Sequence, residues 1–116
     1  MPVKQTLCRV AEVPDGGAIE RVAAIKSDGI DTVDESLIVT RHGVAVCAYV
    51  NVCPHAGRRL DWAPGQFLIE DGYLICAAHG AMFTLGSGEC VAGPCRGLSL
   101  VRVEVETDGE EVRLRD

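Results

Sequence analysis

Aromatic side chains are scarce in this sequence, with two Tyr, two Phe and one Trp among 116 residues. Its core must therefore be built from Val, Ile, Leu and Ala. No apolar run approaches the ~20 residues of a membrane span; the longest is the strand-sized stretch 44–50. The N-terminal MPVKQTLCRVAEV lacks the apolar segment of a secretory signal, so the expected location is the cytoplasm, where disulfides are disfavoured. Positive charge is also in deficit: 11 Lys and Arg face 17 Asp and Glu, a formal net charge of −6. Nucleic acid and anionic membrane are thereby excluded as main partners, because phosphate binding requires a basic face. A soluble protein steered toward a basic partner surface fits instead. No repeat, low-complexity tract or linker interrupts the chain, and no segment has the apolar spacing of a capped helix. At ~150 residues per domain, one domain spanning 1–116 is expected.

Thirteen glycines and five prolines predict many turns, and the apolar period is two almost throughout. Residues 36–41 (SLIVTR) and 44–50 (VAVCAYV) flank His42-Gly43 as a β-hairpin. Residues 67–70 and 73–76 flank Asp71-Gly72, a strong hairpin signal. Residues 100–106 alternate Leu and Val with charge, turn at Asp108-Gly109 and return over 111–115. Residues 18–25 read as a strand or a short helix, with context favouring the strand. The fold class is all-β, a small domain of stacked short antiparallel sheets. Segments 53–65 and 77–94 fit none of these hairpins and read as loops. Binding chemistry tends to sit on such loops when a rigid scaffold carries them.

Six cysteines in a cytoplasmic chain imply metal or redox use for some of them. The first loop reads CPHAG at 53–57 and the second CAAHG at 76–80. Each offers one thiolate and one imidazole, and 20 residues separate His55 from Cys76, enough for a hairpin that returns the second arm beside the first. Four such ligands converging from two loops make a metal site. A structural zinc site usually takes a Cys pair from one arm and a His pair from the other; here the types are mixed within each arm. A binuclear cluster explains the mixture, because an iron held by two Cys and an iron held by two His require one of each from both loops.

With these motifs the chain resembles a Rieske-type [2Fe-2S] ferredoxin. The likeness covers about residues 36–116 and rests on C-P-H-A-G-x-x-L from Cys53 and C-x-x-H-G-x-x-F from Cys76, with Gly88 and Gly93-Pro94 matching the family's proline-containing third loop. It implies a Rieske-like domain with two cluster-binding loops, a [2Fe-2S] cofactor, Cys53 and Cys76 on one iron, and His55 and His79 on the other. It also implies redox protein partners, a reductase and a terminal oxygenase; a small subunit of a larger complex, as in nitrite reductases, is the alternative. A zinc-stabilised binding module is the reading from another class. Two ferric ions, two sulfides, two thiolates and two neutral imidazoles sum to zero charge, where four thiolates would leave two negative charges. The mixed site therefore has the higher potential, suited to one-electron relay. High-potential relatives carry a disulfide between the loops, where this chain has Arg58 and Ala78. They also carry a Ser and a Tyr hydroxyl, where this chain has Ala81 and Phe83.

Gly57 and Gly80 follow the histidines where the backbone must turn sharply, and Leu60, Met82, Phe83 and Pro94 are candidates for apolar cover. Cys8 and Cys47 lie among Val and Ala in expected strands and read as small buried hydrophobes. Cys90 and Cys95 form a C-x₄-C pair near the third loop, open to two readings, a redox disulfide or a second metal arm that lacks a further His or Cys nearby. His42, in a turn, is expected to be solvated. Arg58 and Arg59 read equally as docking residues and as plain exposed charge.

Overall fold

Residues 37–39 show why this chain stacks sheets. In the computed structural model, which describes residues 6–27, 31–54, 57–78 and 80–115, Leu37 and Val39 enter one apolar core while Ile38 enters another. A strand buried on both faces needs an unbroken apolar run, and its two-residue period sends side chains alternately to the two cores. Each aliphatic side chain so buried contributes roughly 1.5–3 kcal/mol.

The described residues form eleven strands and no α-helix. The chain runs through β1 (Thr6–Arg9), β2 (Ala18–Ser27), β3 (Asp31–His42) and β4 (Ala45–Val50). There follow β5 (Leu68–Glu70), β6 (Tyr73–Ile75), β7 (Met82–Thr84) and β8 (Cys90–Ala92). It ends with β9 (Arg102–Val103), β10 (Val105–Asp108) and β11 (Glu111–Leu114). Three antiparallel sheets result, ordered β1-β11-β10, β2-β3-β4-β9 and β5-β6-β7-β8. The second sheet is the shared wall. Leu7, Val13 and Val112 pack with its Ala23, Leu37, Val39 and Ala48, whereas Leu74, Phe83 and Leu100 pack with its Ile38 and Tyr49. The all-β architecture is as expected. No helix among the described residues is long and apolar enough to cross a membrane.

Several boundaries differ from expectation. His42 pairs with Ala45, so the first hairpin turns at Gly43-Val44 rather than His42-Gly43. Asp108 pairs with Glu111, so the last one turns at Gly109-Glu110 rather than Asp108-Gly109. In both, glycine stands first in the turn, with φ of 63° and 62°. The Asp71-Gly72 turn is as expected, with φ of 51° and 81° at its two residues, the positive pair a type I′ turn requires. The single strand expected over 100–106 divides at Glu104, because β9 pairs with β4 while β10 pairs with β11. Alternation continues there although the hydrogen-bonding partner changes. The loop expected over 77–94 contains β7 and β8, each of three residues and too short to display a period.

Candidate metal centre

Cys53 stands shortly after β4 and Cys76 directly after β6. From each cysteine the backbone closes in the same way. The Cys53 N–H donates to the Arg58 carbonyl at 2.6 Å, and the Gly57 N–H donates to the Cys53 carbonyl at 2.9 Å. In the second loop the Cys76 N–H donates to the Ala81 carbonyl at 2.8 Å, and the Gly80 N–H to the Cys76 carbonyl at 2.8 Å. Gly57 and Gly80 take φ of 67° and 74°, left-handed values that glycine adopts without a Cβ clash. Two loops of different sequence thus share one frame, with the cysteine at the same place in each. The Ala77 N–H donates to the Leu60 carbonyl at 3.0 Å and ties the loops together. Cys53 and Cys76 are fully buried, in one core with Leu60, Ala81 and Phe83. The other two expected ligands, His55 and His79, lie outside the described residues.

A polar network fastens the first loop to the middle sheet. Buried Asn51 accepts the Leu60 N–H on Oδ1 at 2.9 Å and donates from Nδ2 to Ser36 Oγ at 3.1 Å. Ser36 donates in turn to Glu20. Arg59 bonds Asp61 through Nε at 3.0 Å and Nη2 at 2.7 Å, and its Nη2 also reaches Glu20 at 2.6 Å. Asp61 accepts the Gly65 N–H at 3.0 Å. The Arg59 bond is the main influence holding the Asp61 carboxyl below the usual carboxylate range, and the Asp61 and Glu20 carboxylates raise Arg59 in return. Both arginines are exposed, but Arg59 is ion-paired to Asp61 and Glu20 and so clamps the loop. Asn51, Asp61, Glu20 and Ser36 were not legible as site residues, since no motif marks a side chain whose role is to hold a loop down.

The third loop meets the second closely. A Cβ on Gly93, whose φ is 98°, would stand 2.8 Å from Ala81 Cα. Leu60 and Phe83 are buried as expected for apolar cover, Met82 is half-buried and Pro94 is exposed. The Cys95 and Cys90 sulfurs lie 3.0 Å apart in the same core. Burial first, then hydrogen bonding to Cys90 and the charges of Cys90 and Cys53, push the Cys95 thiol up to about 12. Cys8 packs in the other core, and Cys47 is half-buried with its thiol 3.6 Å from the Gly86 carbonyl. His42 is exposed, as expected.

Two buried thiols presented by matching, mutually tied loops fit the sulfur half of a mixed Cys/His binuclear site. The chain belongs to the Rieske [2Fe-2S] domain family, whose profile matches residues 4–104, and its cofactor is a [2Fe-2S] cluster. The match extends N-terminally beyond the motif-bearing 36–116 region and resolves the zinc alternative in favour of iron. The chain is similar to the ferredoxin of carbazole 1,9a-dioxygenase from Nocardioides aromaticivorans IC177, with 26% identity, 97% of each chain covered and a TM-score of 0.67. A ferredoxin of Sphingomonas yanoikuyae B1 shares the fold at 22% identity, covering 98% of this chain and 99% of that one, with a TM-score of 0.64. A cytochrome b6-f complex iron-sulfur subunit of Chlorobaculum thiosulfatiphilum is 29% identical over 107 residues, 92% of this chain. The chain spans 50% of that subunit's length.

Proposed function

We propose that this protein is a soluble cytoplasmic one-electron carrier that takes electrons from a reductase and delivers them to a terminal oxygenase. Its 116 residues act as a single domain. Cys53 and Cys76 hold one iron, and His55 and His79 hold the other. When bound, the cluster supplies reversible one-electron oxidation and reduction. The polypeptide holds the two sulfur ligands in identical backbone frames and excludes water from them with Leu60 and Phe83. It anchors the first loop through Asn51 and the Arg59–Asp61–Glu20 clamp.

The single observation that carries this reading is the paired loop frame, one fully buried thiol in each arm. The carbazole dioxygenase ferredoxin supports it, a relative of matching length on the oxygenase side of such chemistry. The net charge of −6 steers the chain to a basic partner face rather than to nucleic acid or an anionic membrane. The similarity to a subunit of a cytochrome complex favours a second reading, a resident subunit of a larger redox assembly. Rapid mixing of the reduced chain with a purified terminal oxygenase distinguishes the two. A freely diffusing carrier gives second-order transfer of one electron per chain, slowing as salt rises. Transfer that occurs only within a co-purified complex overturns the carrier reading.

A further inference from the structure

Cys90 and Cys95 take no part in the ligand set, yet the fold places both thiols inward. Cys90 opens β8 and pairs with Phe83 of β7. The chain then turns through Gly93-Pro94, where the Arg96 N–H bonds the Gly93 carbonyl at 3.2 Å and the Leu98 N–H bonds the Cys95 carbonyl at 2.9 Å. Closing bonds to Cys90, from the Gly97 N–H at 3.3 Å and to the Leu98 carbonyl at 2.8 Å, bring the two ends of the turn together. Both side chains are buried and their sulfurs are 3.0 Å apart, roughly 1 Å longer than the ~2.05 Å of a covalent bridge. Both are thiols, and Cys90 Sγ donates to the Ala92 carbonyl at 3.2 Å. Both cysteines share that core with Cys53.

We infer that Cys90 and Cys95 form a reversible dithiol/disulfide couple within the core that also holds Cys53. Peroxide is the oxidant. Two S–H bonds and the peroxide O–O bond break, and one S–S bond forms. The two thiol electrons pass to the peroxide oxygens, which leave with the two thiol protons as two waters. A small oxidant suits sulfurs that are almost wholly buried. In the reduced pair both S–H groups are engaged, Cys95 donating to Cys90 and Cys90 to the Ala92 carbonyl, and closing the bridge removes both donors. The disulfide depends only on the geometry of 90–97.

The test uses the intact, cluster-loaded chain, treated with stoichiometric hydrogen peroxide or left reduced. Free thiols are alkylated after acid quenching and the peptides are mapped by mass. The expected result is a peptide containing Cys90 and Cys95 that is lighter by two hydrogens and unalkylated at both, with dithiothreitol restoring both thiols. Cys95→Ala shows no bridge, and Cys47→Ser behaves like the parent. Independent alkylation of Cys90 and Cys95 after treatment, or bridging of either to another cysteine, overturns the inference. Iron and sulfide counts on each sample keep a failure of the cluster assignment separate, since the mass readout does not involve the metal.

Discussion

Leu60 is held from both sides of its backbone: its N–H is accepted by Asn51 Oδ1 at 2.9 Å, and its carbonyl accepts the Ala77 N–H at 3.0 Å. The first contact fixes the loop to the middle sheet and the second fixes it to the other loop. The separation of the two cysteines is therefore set by backbone geometry.

Replacing Asn51 by Ala removes the acceptor of that buried N–H and the donor to Ser36. Leaving a buried donor unsatisfied costs about 1–3 kcal/mol, and the loosened loop holds its iron less firmly. Urea unfolding should show a lower midpoint with an unchanged slope, and chelator challenge should strip iron faster than from the parent. A variant with parental stability and parental iron release would show that Asn51 does not position the loop.

Gly93 is the second point of close fit. Gly93→Ala forces a Cβ to within 2.8 Å of Ala81 Cα at a φ of 98°, so a loss of roughly 1–3 kcal/mol is expected from backbone strain alone. Gly86→Ala is the control, since nothing lies within 4 Å of its added Cβ. Equal unfolding midpoints for the two variants would contradict tight seating of the third loop on the second.

The clamp on the first loop makes stability depend on acid. Asp61 is held below its ordinary value chiefly by Arg59, with burial opposing. Its contribution is fully present above the unfolded carboxylate value of about 3.9 and is lost as pH falls through the lower folded value. Asp61→Asn should therefore be less stable than the parent at neutral pH, with the gap closing on acidification to about pH 2. A gap that is constant across that range would mean the ion pair contributes nothing.

The sequence made the chemistry more legible than the architecture. Cys53, His55, Cys76 and His79 stand out because metal binding needs particular atoms at particular spacings. The turn at Asp71-Gly72 was legible because positive φ at two adjacent residues favours few residue types. The split at Glu104 was not, because a period of two reports which face a side chain takes and not which strand its backbone joins. Nor was the equivalence of the two loops, since C-x-H and C-x-x-H differ in letters while sharing their closing hydrogen bonds. Arg59 read as a docking residue or as exposed charge, and only the positions of Asp61 and Glu20 show it to be a clamp.

Ala81 and Phe83 are both fully buried in the core that holds the two cysteines, and neither carries a hydroxyl. The midpoint should therefore lie at the low end of the Rieske range, about −150 mV rather than about +300 mV. Ala81→Ser combined with Phe83→Tyr should raise it. A parent midpoint well above zero, or no change in the double variant, would contradict the placement of these side chains beside the cluster sulfurs.

The most direct measurement is the iron and acid-labile sulfide content of the aerobically purified chain and of its His55→Ala and His79→Ala variants. A [2Fe-2S] centre bridging the two loops predicts a red-brown protein with two irons and two sulfides per chain, both lost when either histidine is replaced. One zinc per chain with no sulfide, or full iron retention in both variants, would contradict it.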